Sequence, residues 1–269
     1  MKLSGSAHGL FPPPIEISRR EVRAHRHIAL IQPGLLRIAQ EMWVRSRGVI
    51  LEVSGPYWIC GLVRVLRGGV RYRSGDRFVQ PRGRLFGMFL PPYSITGIEL
   101  IGSRTFSVGF LAEGAAPPDA PRQPVLFDPA SNHLPTSREH VLALLANNGG
   151  LQLICREDNP PTSAMRLKSA LDRSYAQPLR LGLIAQRVNL SPAFASRIFR
   201  RHYGISPSRY RQALRVLESM MRLAQGQPIV DVSFDAGFGD LSRFYRHFRR
   251  IVCTPPGRYR VRRSKIAKT

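Results

Sequence analysis

The strongest constraint on this chain is a pattern written twice in its last third. The first copy reads Ile184-Ala185 … Leu190-Ser191 … Phe199-Arg200-Arg201 … Pro207 … Tyr210-Arg211. The second reads Val232-Ser233 … Gly237-Phe238 … Phe248-Arg249-Arg250 … Pro256 … Tyr259-Arg260. Phe199 to Phe248, Pro207 to Pro256 and Tyr210 to Tyr259 are each 49 positions apart. A period held at three anchors marks a duplicated structural unit. Each copy predicts a short apolar helix, a tight turn, a second helix ending Phe-Arg-Arg, and a proline that opens a further helix. Two short helices across a tight turn, with cations on the second, suit the major groove of a nucleic-acid duplex.

Periodicity fixes which side of each second helix looks outward. Ser191 is placed as an N-cap with Pro192 at the first helical position, where proline is tolerated. Ala195, Ile198 and Phe199 then face inward at helical spacing. Ala193, Ser196, Arg197 and Arg200 are left outside. In the second copy Gly237-Phe238-Gly239 makes the turn, Asp240 caps, and Phe244 and Phe248 face inward. Leu241, Ser242, Tyr245, Arg246 and Arg249 are left outside. Between the copies, Pro207 opens a helix expected to run through Leu214 and Met221 to Gly226. Roughly 19 residues give a rod near 28 Å, close to the ~34 Å of one duplex turn. Met220-Met221 reads as core filling.

The charge agrees with this plan. The chain of 269 residues carries 41 Lys+Arg against 17 Asp+Glu. From Ser163 onward there are 22 basic and 5 acidic residues, a net +17, against +7 for the residues before it. An excess concentrated in one region calls for a polyanionic partner. Arginine far outnumbers lysine, which suits phosphate forks and guanine edges and also follows from a GC-rich coding bias.

The first half has a different texture. From Ile28 to Leu111, short β-prone runs alternate with glycine and proline. Strand stops are expected at Arg67-Gly68-Gly69, Ser74-Gly75-Asp76 and Pro91-Pro92, with Thr105 to Leu111 closing the series. This predicts a small antiparallel barrel or sandwich, able to hold one small ligand in its mouth. Glu113 to Pro135 reads as a linker. Ser137 is expected to cap a helix from Arg138 to Ala146. Val141, Leu144 and Leu145 along that helix form an apolar edge expected to pair two subunits, with packing on the chain's own barrel as the alternative. Thr162 or Ser163 is expected to cap the first helix of the last third. The fold class is therefore α+β in two domains. The first is a barrel with linker helices, and the second an all-α domain of about seven helices with two helix-turn-helix motifs. The domain bounds are expected at 1–130, 131–162 and 163–264.

Other chemistries are poorly supplied. Cys60, Cys155 and Cys253 are odd in number and far apart, so they form neither a disulfide framework nor a zinc pair. A DNA-repair methyl acceptor built on Cys60 would need such a zinc cluster. His25 and His27 form an HxH that no acidic residue follows at short spacing, so no metal is expected. No apolar run approaches the roughly 20 residues of a membrane helix. Pro12-Pro13-Pro14 interrupts any signal-peptide core. A cytoplasmic, nucleoid-associated protein without cofactor is expected.

The motif Ile184-Ala185 … Ser191-Pro192 … Arg197-Ile198-Phe199 … Gly204-Ile205-Ser206-Pro207 … Tyr210, followed by Ala236-Gly237-Phe238-Gly239-Asp240-Leu241-Ser242-Arg243-Phe244 … Pro256 … Tyr259-Arg260, resembles the C-terminal domain of the AraC/XylS transcription regulators. The resemblance covers about 100 residues, Ser163 to Arg262. The first half looks like that family's cupin-like effector and dimerisation domain in strand-and-glycine texture alone. Two departures stand out: Cys253 where the family has glycine, and Ser233 where it favours alanine. The resemblance implies base contacts from Ala193, Ser196 and Arg197, and from Leu241, Ser242, Tyr245 and Arg246. Arg200, Arg201, Arg249 and Arg250 are expected on phosphates, which position a protein without reading sequence. For Arg197 and Arg246, a phosphate contact or a solvated charge stands beside the guanine fork. Double-stranded DNA, RNA polymerase, a small-molecule effector and a second subunit are the implied partners. A sequence-neutral architectural binder is the alternative, separable by comparing specific with random duplexes. A cupin enzyme with a DNA-binding tail is a further one, needing several His and a carboxylate converging in the barrel.

Overall fold

The computed structural model describes residues 22–74, 77–129, 138–146, 149–154, 161–252 and 255–259. Nine strands come first: β1 Val22–Gln32, β2 Leu35–Val44, β3 Arg47–Val53, β4 Trp58–Ser74, β5 Arg77–Val79, β6 Leu85–Leu90, β7 Ile95–Ala112, β8 Val125–Asp128 and, after helix α1 (Arg138–Ala146), β9 Gly149–Leu153. Helices follow: α2 Thr162–Ser174, α3 Leu181–Gln186, α4 Pro192–Tyr203, α5 Pro207–Ala224, α6 Ile229–Asp235, α7 Leu241–Val252 and α8 Pro256–Tyr259. The seven described helices of the last third agree with the expected all-α half.

The strands form one antiparallel sheet in the order β1-β2-β7-β4-β6-β8-β9, with β3 also on β7 and β5 on β4. Its end strands β1 and β9 do not pair with each other, so the expected barrel is not closed. The sheet is instead bent across its two longest strands. β4 pairs with residues 104–112 of β7 before the bend and with 97–101 after it. The register slips twice, between Val65, Arg67 and Gly69. Gly68 at φ +71 faces Gly102 at φ +51, and a Cβ on Gly68 would lie 2.4 Å from the Gly102 carbonyl oxygen. Thus Arg67-Gly68-Gly69 does not end a strand, as its composition predicts, but kinks one. A bulge between paired strands keeps the ladder while adding a sharp bend. The expected strand Thr105 to Leu111 is likewise one part of a longer one.

Two further expectations are corrected. The segment read as linker contains β8, whose Val125, Leu126 and Phe127 are fully buried against β6. The apolar edge of α1 is turned onto the chain's own sheet. Val141 is 0% exposed among Leu35, Trp58, Cys60 and Phe110, and Leu144 is partly buried against the same cluster. Val141 is therefore unavailable to a second subunit. The side chain of Leu145 lies outside the described residues, as does the cap expected at Ser137.

The opposite face of the sheet is covered by the helical half. Leu51 and Val53 of β3 share a cluster with Leu167, Leu171, Phe199 and Leu214. The Tyr57 hydroxyl donates to Glu218 Oε2 of α5 at 3.0 Å. From Glu218, polar contacts continue to Arg222 Nε at 2.6 Å and from Arg222 Nη1 to Asp235 of α6 at 2.8 Å. The two halves therefore share one core and one polar network. Among the described residues no helix is long and apolar enough to cross a membrane.

One buried charge sets an acid limit on the sheet. Glu99 of β7 is 1% exposed and accepts from Arg71 Nε of β4 and Arg47 Nε of β3. Burial pushes its carboxyl up, but the bonds from Arg71 and Arg47 and their charges outweigh burial and hold it below the usual range. A depressed carboxylate stabilises the fold above its unfolded value, about 4.3, and the gain is lost as pH falls through the folded value. Glu99→Gln is expected to cost about 1.5–3 kcal/mol at neutral pH, nearer the lower figure because Arg47 is mostly in solvent. It should also flatten the dependence of the melting temperature on pH below about 4.3. Parallel acid profiles of the two proteins would refute this.

Candidate nucleic-acid interface

The two helix-turn-helix units are built by local chemistry. In the first, α3 ends in a left-handed residue, Asn189 at φ 60, with the Leu190 amide donating back to the Ala185 carbonyl at 3.0 Å. In the second, Gly237 takes that place at φ 84, and the Phe238 amide donates to the Ser233 carbonyl at 3.0 Å. Both are helix ends closed by a left-handed residue. Ser191 accepts from the Phe194 amide at 3.3 Å, and Asp240 from the Arg243 amide at 2.7 Å, so both expected N-caps are made. The cap expected at Thr162 or Ser163 is not. Thr162 is already helical, and Pro161 holds the N-cap position with no side-chain bond.

Ala195 and Phe199 of α4, and Phe244 and Phe248 of α7, are buried. This leaves Ala193, Ser196, Arg197, Arg200 and Arg201 exposed on α4, and Leu241, Ser242, Tyr245, Arg246, Arg249 and Arg250 exposed on α7. All eleven expected contact residues therefore face outward. Between the two units α5 has 18 residues, a rod of about 27 Å.

One exposed side chain was missed by the sequence reading. Phe194 is 37% exposed, and the Arg197 guanidinium lies over its ring at 5.5 Å. An arginine stacked on an aromatic face is oriented before it meets a duplex. The signal was the i, i+3 spacing of Phe194 and Arg197 on α4. At the matching position of α7, Arg243 is tied by its own cap, its Nε 3.3 Å from Asp240 Oδ2.

Other arginines are structural. Arg211 of α5 donates to the carbonyls of Tyr175 at 3.0 Å, Leu179 at 2.5 Å and Gln177. Arg215, one turn on, donates to Tyr175 and Gln177 at 2.5 and 2.9 Å. Burial, with the Arg211 charge beside it, brings the Arg215 guanidinium down to about 10. These two hold the connection between α2 and α3 against the rod. The basic excess is thus divided between surface and scaffold. The Ser233 hydroxyl, in a position where an apolar residue would be expected, is fully buried and donates to the Val230 carbonyl at 3.0 Å. Cys253 lies outside the described residues.

Cys60 is fully buried, and burial pushes its thiol up, which keeps it protonated and unreactive. His25 and His27 lie on β1, but their side chains and His133 are outside the described residues. Among the described residues no three His, Cys, Asp or Glu side chains gather as a metal site.

A helix-turn-helix domain family matches residues 184–262. The chain is 35% identical over 97 residues to the regulatory protein ada of Salmonella typhimurium, covering 35% of this chain and 28% of that one. It is 31% identical over 135 residues to the virulence regulon transcriptional activator VirF of Yersinia enterocolitica, covering 49% of each. With the HTH-type transcriptional activator RhaS of Pectobacterium carotovorum it shares 31% over 87 residues, 32% of this chain and 31% of the relative. The chain spans about half or less of the length of these curated relatives. Among solved structures, ToxT of Vibrio cholerae O395 aligns with 89% of this chain and 98% of its own at 10% identity and a TM-score of 0.44, a likeness too slight to bear on function. The family match coincides with the two built helix-turn-helix units and with the outward arginines between their caps and their Phe-Arg-Arg ends, so the C-terminal part of this chain is an AraC/XylS-type helix-turn-helix domain.

Proposed function

We propose that the chain is a sequence-specific DNA-binding regulator of transcription. Its two helix-turn-helix units read adjacent major grooves on one face of a duplex. The observation that carries this is a pair of matching outward arginines, Arg197 and Arg246, 49 residues apart on helices joined by a rod of 18 residues. Such a rod spans about 27 Å, near one turn of B-DNA. Relatives named as transcriptional activators favour activation, with RNA polymerase as the second macromolecular partner. The N-terminal half is assigned the effector. Pairing of subunits, if the regulator is a homodimer, uses a surface other than Val141. The expected place is chromosomal DNA inside the cell, and binding alone, without catalysis, accounts for every exposed group of the interface.

Selection on randomised duplexes tests the reading. The wild-type chain should recover two sub-sites about 10 base pairs apart. Arg197→Ala should relax preference in one and Arg246→Ala in the other, each by roughly 1–3 kcal/mol. Arg200→Ala should weaken all duplexes alike, as loss of a phosphate contact does. Arginine variants that relax the same base pairs, or unchanged preferences with Arg197→Ala, would refute separate grooves. Random and selected duplexes bound within about tenfold would favour the architectural alternative.

A further inference from the structure

The bent sheet encloses a cavity of about 110 Å³, and its walls come from both halves of the chain. For scale, one water needs roughly 10–15 Å³. Most of the lining is apolar, from β2, β4, β6 and β7. The polar groups are those of Gln40, Thr105, Ser107, Glu52 and the Tyr72 hydroxyl, and among the described residues no Lys, Arg or His lines it. Gln40 and Ser107 are direct cross-strand partners, with Thr105 two residues along β7, so three of the hydrogen-bonding side chains sit on neighbouring positions of β2 and β7. The far wall is supplied by Ala213 and Leu217 of α5 and Ile251 of α7.

The cavity exists because of a glycine pair. Gly61 of β4 and Gly109 of β7 face each other across the ladder and both line the space. A Cβ on Gly61 would lie 2.8 Å from Gly109 Cα, so the strands there admit no side chain on β4. A Cβ on Gly109 would meet only the Cys60 carbonyl oxygen, at 3.9 Å. Gly109 is therefore a place where a side chain enters the cavity without displacing the backbone.

Resting on the effector assignment above, we infer that this cavity is the effector site and that it takes a ring-sized, largely apolar molecule that is uncharged or cationic. A carboxylate would leave water for apolar walls with no cation among the described lining residues to meet it and with Glu52 among them. That transfer is strongly unfavourable. A neutral hydroxyl or amide meets Gln40, Thr105 and Ser107 instead. The occupant touches the rod between the two reading helices and the last turn of the second one. Occupancy thus changes how α5 and α7 seat on the sheet. It shifts DNA affinity by the difference in its binding to the two seatings.

The test uses the full chain and three probes of one shape: benzyl alcohol, benzylamine and benzoate. Each is titrated calorimetrically into wild type and Gly109→Leu, with Gly109→Ala as the smaller filler should the leucine variant not fold. Benzyl alcohol or benzylamine should bind wild type, benzoate should not, and filling should weaken binding at least about tenfold. Benzoate binding as well as benzyl alcohol, and lost on filling, would keep the site and overturn the ligand class. Binding that survives both fillers, or no binding by any probe, would overturn the site. The effector assignment fails separately, if affinity for the selected duplex is the same with the cavity empty, probe-filled or filled by the variant's own side chain.

Discussion

Raising salt from about 50 to about 200 mM should weaken DNA binding by this chain about 10²-fold. The figure comes from counting exposed cations on or beside the two units. Arg187, Arg200, Arg201 and Arg249 are counted, and Arg243 is left out because it pairs with Asp240. Four phosphate contacts at roughly −0.9 each give a log–log slope near about −3.6. Arg211 and Arg215 are excluded from the count because they hold the carbonyls of Tyr175 and Gln177, and Arg222 because it holds Glu218 and Asp235. The two kinds of arginine should separate in one experiment. Arg200→Ala should make the slope shallower by about 0.9. Arg211→Ala should lower the melting temperature and leave the slope of the protein that remains folded unchanged. A wild-type slope shallower than about −2 would contradict the phosphate count. An Arg211→Ala slope reduced like that of Arg200→Ala would contradict its structural role.

Gly237→Ala should be among the most damaging single methyl groups that can be added to this chain. Gly237 has φ +84, and a Cβ there would lie 2.0 Å from the Ala176 carbonyl oxygen. The left-handed conformation costs a non-glycine residue roughly 1–2 kcal/mol. Relieving a clash with backbone adds about 1–3 kcal/mol, as overpacking does. The sum is about 2–5 kcal/mol, a fall in melting temperature of roughly 2–4 °C per kcal/mol for a chain of this size. The second turn would lift away from the end of α2, so preference at the sub-site read by α7 should fade first. Gly239, two residues on, is the control. A Cβ there meets nothing within 4 Å and its φ is not positive. Gly239→Ala should stay within about 0.5 kcal/mol of wild type. Thermal unfolding of the three proteins decides it. A Gly237→Ala protein melting with wild type would show that the turn relaxes more freely than its contacts allow.

Those two glycines show where sequence reading stops. Gly237-Phe238-Gly239 announces a turn, but nothing local says which glycine is pressed against another segment. The helical half was legible because its information is local. The period of 49, the caps at Ser191 and Asp240, and the outward faces all follow from spacings within single helices. The exposure of Arg197 and Arg246 needed only the positions of Phe199, Phe244 and Phe248. The sheet half was legible in class and not in shape. Whether Arg67-Gly68-Gly69 stops a strand or bends it depends on Gly102, more than thirty residues away in sequence. Whether Val141 pairs subunits or covers its own sheet depends on Trp58 and Phe110. Val125 to Phe127 became a strand because β6 offered an edge, despite the prolines around them. The sequence alone determined a duplicated, outward-facing basic helix pair. Tertiary structure alone decided which arginines are scaffold, which apolar face is covered, and that a glycine pair leaves a cavity against α5 and α7. Helix periodicity and capping act over a few residues, whereas strand pairing and the covering of an apolar face are set by segments distant in the chain.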